Sequence, residues 1–309
     1  MPYRGRFAVY DHQGKARAYI DALERRGWRS THAFERALFC LSDLDMLGRA
    51  QVLRDVMARG GRVFLYPHAA RPAVQWDGMY PVLPGVSANF VIGEGGAEVM
   101  RRYGYPVPVH VVGWPYGELR QFRASSYPTT ILFGPIHANG NGWLSELDKK
   151  INQAVFSRLL ALVEKGCIHL KVRYLRGLQL CGLQPDTRVE YIRGRADQSY
   201  KDIDQADVVV AHQTLAYIAV ARGAPTVMMA EDEPPRSGNS ESNFVRVASW
   251  QKYRELMMFP LDILASDDPM ALLQRAARSD VDVAEWRRLF IGEPFNQARF
   301  VSTLEGYLS

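Results

Sequence analysis

Residues 206–230 read ADVVVAHQTLAYIAVARGAPTVMMA, and their order decides the fold class. The apolar run Val208 to Val210 ends at a polar stretch, Ala211-His212-Gln213-Thr214. A helix-like segment, Leu215 to Ala221, follows, then Gly223 and a second apolar run from Pro225 to Ala230. Strand, polar turn, helix, Gly and strand make a βαβ unit, which implies a parallel sheet. Ligands of such sheets bind at the carboxyl ends of the strands, where helix N-termini present free N–H groups to anions. His212, Gln213 and Thr214 occupy that position, and all three side chains can hydrogen-bond phosphate or sugar. An ordinary turn with Thr214 as a helix cap would use the same residues.

Outward from this unit the alternation continues. Upstream, Thr130 to Phe133, Ile168 to Tyr174 and Val189 to Ile192 read as strands. Glu146 to Lys165, which has room for an interruption, and Tyr200 to Gln205 read as helices. The first part of the chain repeats the pattern. Its strands are Phe7 to Tyr10, Ala37 to Leu41, Val63 to Tyr66, Asn89 to Ile92 and Val109 to Val112. Lys15 to Arg26, Arg49 to Arg59 and Gly95 to Tyr103 are its helices, each stopped by glycine. Ala124-Ser125-Ser126-Tyr127-Pro128 reads as a linker and Pro234 to Asn243 as a long polar loop. Two successive α/β series predict an α/β protein of two Rossmann-like domains facing across a cleft. The expected divisions are a first domain over 1–125, a second over 126–282, and a C-terminal helical part over 283–309 that packs back on the first domain. Neither series has GxGxxG after its first strand, which disfavours a dinucleotide enzyme.

The 309 residues are 47% hydrophobic and 23% charged, the balance of an ordinary globular protein. No apolar run reaches the roughly 20 residues of a membrane span, and the N-terminus lacks the apolar core of a signal peptide. Cys40, Cys167 and Cys181 are odd in number and without CxxC spacing. They disfavour a disulfide framework or a zinc site and suit the cytoplasm. The net charge of +5 is unevenly placed. Residues 1–125 hold 17 Lys+Arg against 11 Asp+Glu, and the remainder 21 against 22. All of the N-terminal cations but Lys15 are Arg, the side chain suited to bidentate phosphate contacts. An anionic partner on the first domain is the reading this asymmetry favours.

Several segments resemble glycosyltransferases of the GT-B fold, nearest in pattern to the branch with CDP-glycerol glycerophosphotransferases and other surface-polymer enzymes. ANFVIGEGGAEVMRRYGYPVPVHVVGWP, Ala88 to Pro115, is similar to the end of their first domain. ILFGPIHANGNGW, Ile131 to Trp143, resembles their next strand and phosphate-facing loop. LKVRY, Leu170 to Tyr174, stands where they carry a K-x-HP element, and the opening βαβ unit resembles their donor site. The likeness covers about residues 60–232 and lies in pattern more than identity. The chain departs from it at three points. His212-Gln213-Thr214 replaces an acidic or Ser-Ser element. Tyr217 stands nearest to a ribose-binding Glu, and Arg173-Tyr174 replaces the HP pair.

The resemblance implies transfer from a nucleotide-activated sugar, a co-substrate rather than a resident cofactor. It also implies that the leaving phosphate is stabilised by helix dipoles, backbone N–H groups and basic side chains rather than by a metal. The donor-binding candidates are Gly134, His137, Asn139, Arg173, His212, Gln213 and Thr214, with Glu231 and Asp232 at the sugar end, since carboxylates accept from sugar hydroxyls. The acceptor hydroxyl needs a general base. Asp11 and His12 follow the first strand and His68 the third, at the carboxyl ends where a base would stand. The candidate acceptor-binding cations are Arg4, Arg6, Lys15, Arg17, Arg71, Arg101 and Arg102. A hydroxylated base in duplex DNA is one acceptor that fits. The alternatives are an anionic cell-envelope polymer, a nucleotide-sugar-binding protein without turnover, and a sugar epimerase of the same fold. His32, His110 and His169 belong to no constellation.

Overall fold

Two parallel sheets organise the chain. The structure is a computed structural model. It describes residues 2–10, 16–42, 50–67, 85–102, 106–125, 127–137, 144, 146–194, 199–229, 261, 263–264, 266–278 and 281–309. The chain falls into two compact units. One is built on Met1–Gly117 and Arg288–Ser309, the other on Glu118–Asp232 and Phe259–Arg287.

In the first unit the strands are β1 (Gly5–Tyr10), β2 (Trp28–Thr31), β3 (Phe39–Ser42), β4 (Arg62–Leu65), β5 (Ala88–Val91) and β6 (Val109–Val111). The helices α1 (Arg17–Glu24), α2 (Ala50–Ala58) and α3 (Glu94–Arg102) are interleaved with them. The sheet order is β2-β1-β3-β4-β5-β6, with every pairing parallel. Alternation along the strands sorts the side chains onto two faces. Phe7, Phe39, Phe64 and Phe90 form an aromatic row across β1, β3, β4 and β5, with neighbouring centroids 5.5, 5.8 and 6.1 Å apart. Cys40, Val63 and Leu65 face the other way, onto Leu53 and Val56 of α2.

The C-terminal segment closes the aromatic face. The last helix, Gln297–Leu308, puts Phe300 edge-on to Phe90 at 4.8 Å and Tyr307 edge-on to Phe64 at 5.7 Å. Phe300, Val301 and Leu304 are fully buried with Phe7, Tyr19 and Phe39 in one cluster. Asn296 starts this helix, its side chain accepting from Arg299 N at 2.9 Å. Replacing Asn296 by Ala should cost about 1 kcal/mol, the usual value of an N-cap, measurable as a shift in the urea midpoint.

The second unit has β7 (Thr130–Gly134), β8 (His169–Tyr174), β9 (Glu190–Arg193), β10 (Val208–Ala211) and β11 (Thr226–Met228) in the order β11-β10-β7-β8-β9. All pairings are again parallel. Its helices are α4 (Glu146–Glu164), α5 (Ser199–Asp204), α6 (Gln213–Ala221) and α7 (Pro269–Ala277). A further helix, α8 (Val281–Phe290), precedes the last one, which becomes α9. The interruption allowed for in 146–165 is absent: α4 is continuous. Sequence reading missed two elements, β2 and α7. The first is a four-residue edge strand without a full apolar face. The second is recognisable by its start, where Asp268 caps Ala271 N at 3.0 Å with Pro269 behind it.

The expected linker is also displaced. The units divide at Gly117/Glu118, not at 125/126. The start of the Ser-Ser-Tyr-Pro break and Arg123 shortly before it are tied into the second unit: Arg123 donates to the carbonyls of Ile203 and Asp204, and Ser125 N to Ala277 O at 2.7 Å. Polar composition marks a loop, but hydrogen bonds decide which unit owns it.

Candidate functional site

Strand order locates the site. In the second sheet the chain steps β7 to β8 to β9 on one side, then crosses to β10 on the other side of β7. The carboxyl ends of β7 and β10 therefore flank a topological switch point, where open α/β sheets bind ligands. Gly134 ends β7 and pairs with Ala211, which ends β10.

The polar turn read from the sequence is shorter than expected. β10 runs through Ala211 and α6 begins at Gln213, so His212 alone makes the turn. Gln213 and Thr214 are the first helical residues, and Thr214 is not the cap. His212 occupies the N-cap position with extended backbone and no side-chain cap hydrogen bond. The first N–H groups of α6 thus receive no side-chain acceptor from their own cap, at the switch point. Beyond Thr214 the helix carries only Leu215 to Ala221, a wholly buried or half-buried apolar run. Tyr217, nearest to the family's ribose-binding position, stacks flat on Trp286 at 5.5 Å and is 5% exposed, so its ring is core.

Gly134 has a packing use. A Cβ there would collide with the Leu215 side chain. Glycine at this position lets α6 pack closely on β7.

His137 lies three residues beyond Gly134, and its position is held from beneath. Asn152 of α4 is fully buried. Its Oδ1 accepts from Ile136 N at 2.8 Å, and its Nδ2 donates to Ile136 O at 3.0 Å and to Cys181 O at 2.9 Å. One amide thus fixes the exit of β7 and the turn after β8. Sequence reading missed Asn152, because a lone Asn in an amphipathic helix carries no periodic signal. The His137 imidazole has its pKa lowered to about 4, first by burial, then by the charges of Arg173 and His212. That electrostatic coupling joins three of the predicted residues, from β7, β8 and β10, in one neighbourhood.

Arg173 is not the free cation expected. Its Nε donates to Asp202 Oδ2 at 2.9 Å, with the two side chains 4% and 11% exposed. Gly194 leaves room for the guanidinium: a Cβ there would lie 2.6 Å from Arg173 Cζ. The Arg173 guanidinium is therefore matched by a carboxylate of the same unit.

The metal question does not close on spacing. Asp-x-Asp triplets occur at Asp43/Asp45, Asp202/Asp204 and Asp280/Asp282. In the second, Asp202 holds Arg173 while Asp204 holds Arg222 and Arg120, so the two carboxylates serve different cations. The side chains of the other two pairs lie outside the described ones. No group of three metal-ligating side chains occurs among the described residues.

Asp11, His12, Lys15, His68, Arg71, Asn139, Glu231 and Asp232 lie outside the described residues. For Gln213, Thr214 and Arg102 only the helical backbone is described. In the first sheet the switch point falls between β1 and β3, and β1 ends at Tyr10, just before Asp11 and His12. His68 follows Pro67, whose carbonyl accepts from the Tyr116 hydroxyl.

The remaining arginine candidates do not form one cluster. Arg4 and Arg6 stand at the amino end of β1, and Arg101 and Arg102 at the last turn of α3. Both places lie at the sheet edge opposite to the carboxyl ends. Arg17 begins α1 on the carboxyl side. Arg4 pairs with Glu305, Arg17 with Asp21 at 2.7 Å, and Arg101 with Glu98 at 2.6 Å and Glu94 at 3.4 Å. The excess nevertheless persists: Met1–Gly117 with Arg288–Ser309 holds 17 Lys+Arg against 12 Asp+Glu. A cavity of about 560 Å³ bordered by Tyr3, Arg25, Trp28 and Arg29 opens between the end of α1 and the start of β2. It is at the amino edge of the first sheet, away from the β1/β3 switch point.

Two parallel sheets with interleaved helices, in this order, are the GT-B fold of glycosyltransferases. The glycotransferase of kitacinnamycin is similar with a TM-score of 0.53 at 13% identity, covering 100% of both chains. The S. aureus MnaA–UDP co-structure is similar with a TM-score of 0.56 at 10% identity, covering 99% of this chain and 97% of that one. The wall teichoic acid polymerase TagF, as its H444N variant, gives 0.52 at 10% identity over 97% and 87%. At these identities the likeness defines the fold. No protein-family model matches the chain, and no curated protein matches it in sequence.

Proposed function

We propose that this protein is a GT-B glycosyltransferase that moves a sugar from a nucleotide-activated donor to a hydroxyl group on an anionic acceptor. The observation that carries the reading is the α6 N-terminus without a side-chain cap at the β7/β10 switch point, beside His137 and Arg173. A departing nucleoside diphosphate needs such preorganised N–H groups for its developing charge. The likeness in fold to a glycotransferase, to a UDP co-structure and to a wall teichoic acid polymerase supports the same reading. In this reading the helix dipole and N–H groups take the leaving charge without a metal. Asp11, His68 or His12 would take the proton of the acceptor hydroxyl.

A thermal-shift panel of UDP-, TDP- and CDP-activated sugars and polyols tests the donor, followed by a product assay. The expected result is a rise in Tm with one nucleotide class and consumption of that donor. A rise without consumption would make the chain a binding protein, and no rise with any donor would remove the donor site.

The cationic excess around the first sheet favours a polyanion as acceptor. Duplex DNA carrying hydroxylated bases is the concrete version, and a cell-envelope polymer the alternative. No helix among the described residues is long and apolar enough to cross a membrane. DNA binding should weaken linearly in log K against log salt, with a slope of about −0.9 per phosphate neutralised. Binding undetectable at low salt would end the DNA version and leave the polymer.

A further inference from the structure

We propose that Cys181 is a positioning residue that fixes the tautomer of His137, so that the imidazole meets its ligand as an uncharged Nε2–H donor. The two side chains are brought together by the Asn152 amide, which binds the backbone of Ile136 on one side and of Cys181 on the other. Cys181 Sγ lies 4.0 Å from His137 Nδ1, within reach of a sulfur hydrogen bond. Burial pushes the Cys181 thiol up to about 11, so at neutral pH it keeps its proton and can donate it to Nδ1. A ring nitrogen that accepts carries no proton, and a neutral imidazole has only one. With the thiol as donor, the proton sits on Nε2, the edge of the ring turned away from the thiol.

A second proton is opposed by burial and by two neighbouring groups among the described residues. Arg173 on β8 and His212 at the end of β10 are the charged and titratable neighbours of the ring, and burial adds to them. The carboxylate of Asp202 is engaged by Arg173. An uncharged donor can orient a diphosphate without holding the leaving nucleotide by a full ion pair. This ligand half rests on the donor site proposed above, whereas the tautomer half stands without it.

The test is a long-range proton–nitrogen NMR spectrum of the full chain, labelled with nitrogen-15 in histidine, at pH 7. His137 is assigned by the signals lost in His137→Gln. The expected result is a single neutral form with Nε2 protonated and Nδ1 bare. Cys181→Ala should move the Nδ1 shift toward its protonated value as the other tautomer becomes populated. Cys181→Ser, which keeps a donor, should move it less. A wild-type His137 protonated on Nδ1 or on both nitrogens would overturn the proposal, as would a spectrum unchanged in Cys181→Ala. Titration with UDP then reads the ligand half. Cys181→Ala should weaken UDP about fivefold, the worth of one modest hydrogen bond, with Cys181→Ser between it and wild type. Equal affinity in all three overturns the ligand half. Wild-type protein that binds no UDP, with the expected spectrum, removes UDP as a ligand and leaves the tautomer assignment standing.

Discussion

Replacing Arg173 by Ala is expected to cost about 3–5 kcal/mol of stability, the usual penalty for stranding one partner of a buried ion pair. The partner is Asp202, 11% exposed, and its carboxylate accepts the Arg173 Nε hydrogen bond at 2.9 Å. Without the guanidinium, the Asp202 carboxylate loses that partner in a poorly solvated place. The double variant Arg173→Met, Asp202→Leu should recover most of the loss, because two apolar side chains of similar volume remove both desolvation penalties. Urea unfolding of the wild type, the single variant and the double variant measures this. A single variant within about 1 kcal/mol of wild type would show that the pair is not buried in solution. The same set separates structure from binding. Sequence reasoning alone assigned Arg173 a direct phosphate contact, whose loss would cost about 1.5–3 kcal/mol of nucleotide affinity. If the stable double variant binds UDP as the wild type does, Arg173 is purely structural. A tenfold or greater loss would place its guanidinium on the ligand.

The second large effect is on pH dependence. The His137 pKa falls from 6.5 to about 4 on folding. The unfolded chain therefore binds a proton between those values that the native chain refuses. Stability from this group is fully present above pH 6.5 and is lost as pH falls toward 4. About 2.5 pKa units correspond to roughly 3 kcal/mol. His110, whose pKa is also lowered, chiefly by burial, acts in the same direction. The measurement is consequently a difference between wild type and His137→Gln, followed by urea unfolding from pH 7 to pH 4. The wild type should lose about 3 kcal/mol more than the variant over that window. Parallel curves would mean that His137 is solvated, and the anionic ligand would then meet a titrating imidazole.

Much of the architecture was legible because the strands are short apolar runs bounded by glycine and polar turns. β7, β8 and β10 were each placed to within a residue or so, and with them the carboxyl ends that carry Gly134, Arg173 and His212. β2 was not legible, since Trp28-Arg29-Ser30-Thr31 is held by backbone pairing to β1 and buries only Trp28 fully. Nor was the place of the division, because Arg123 and Ser125 bind the second unit through carbonyls that sequence cannot locate. The role of Arg173 was misread for a related reason: its partner Asp202 lies 29 residues away on another element.

By itself the sequence determined the period of each element and hence two parallel α/β sheets, since apolar runs, glycine stops and strand–helix alternation are local properties. It also determined the inventory of groups at the strand ends and the unequal charge of the two parts of the chain. Only the tertiary structure decided which groups keep their charge and their freedom. Strand order put Gly134 against Ala211, and close helix packing put Leu215 where a Gly134 side chain would be. Folding joined Arg173 to Asp202, and Asn152 to the backbones beside His137 and Cys181. Those outcomes depend on long-range contacts and on local burial, which shifts charge and protonation by several kcal/mol and leaves no periodic trace along the chain.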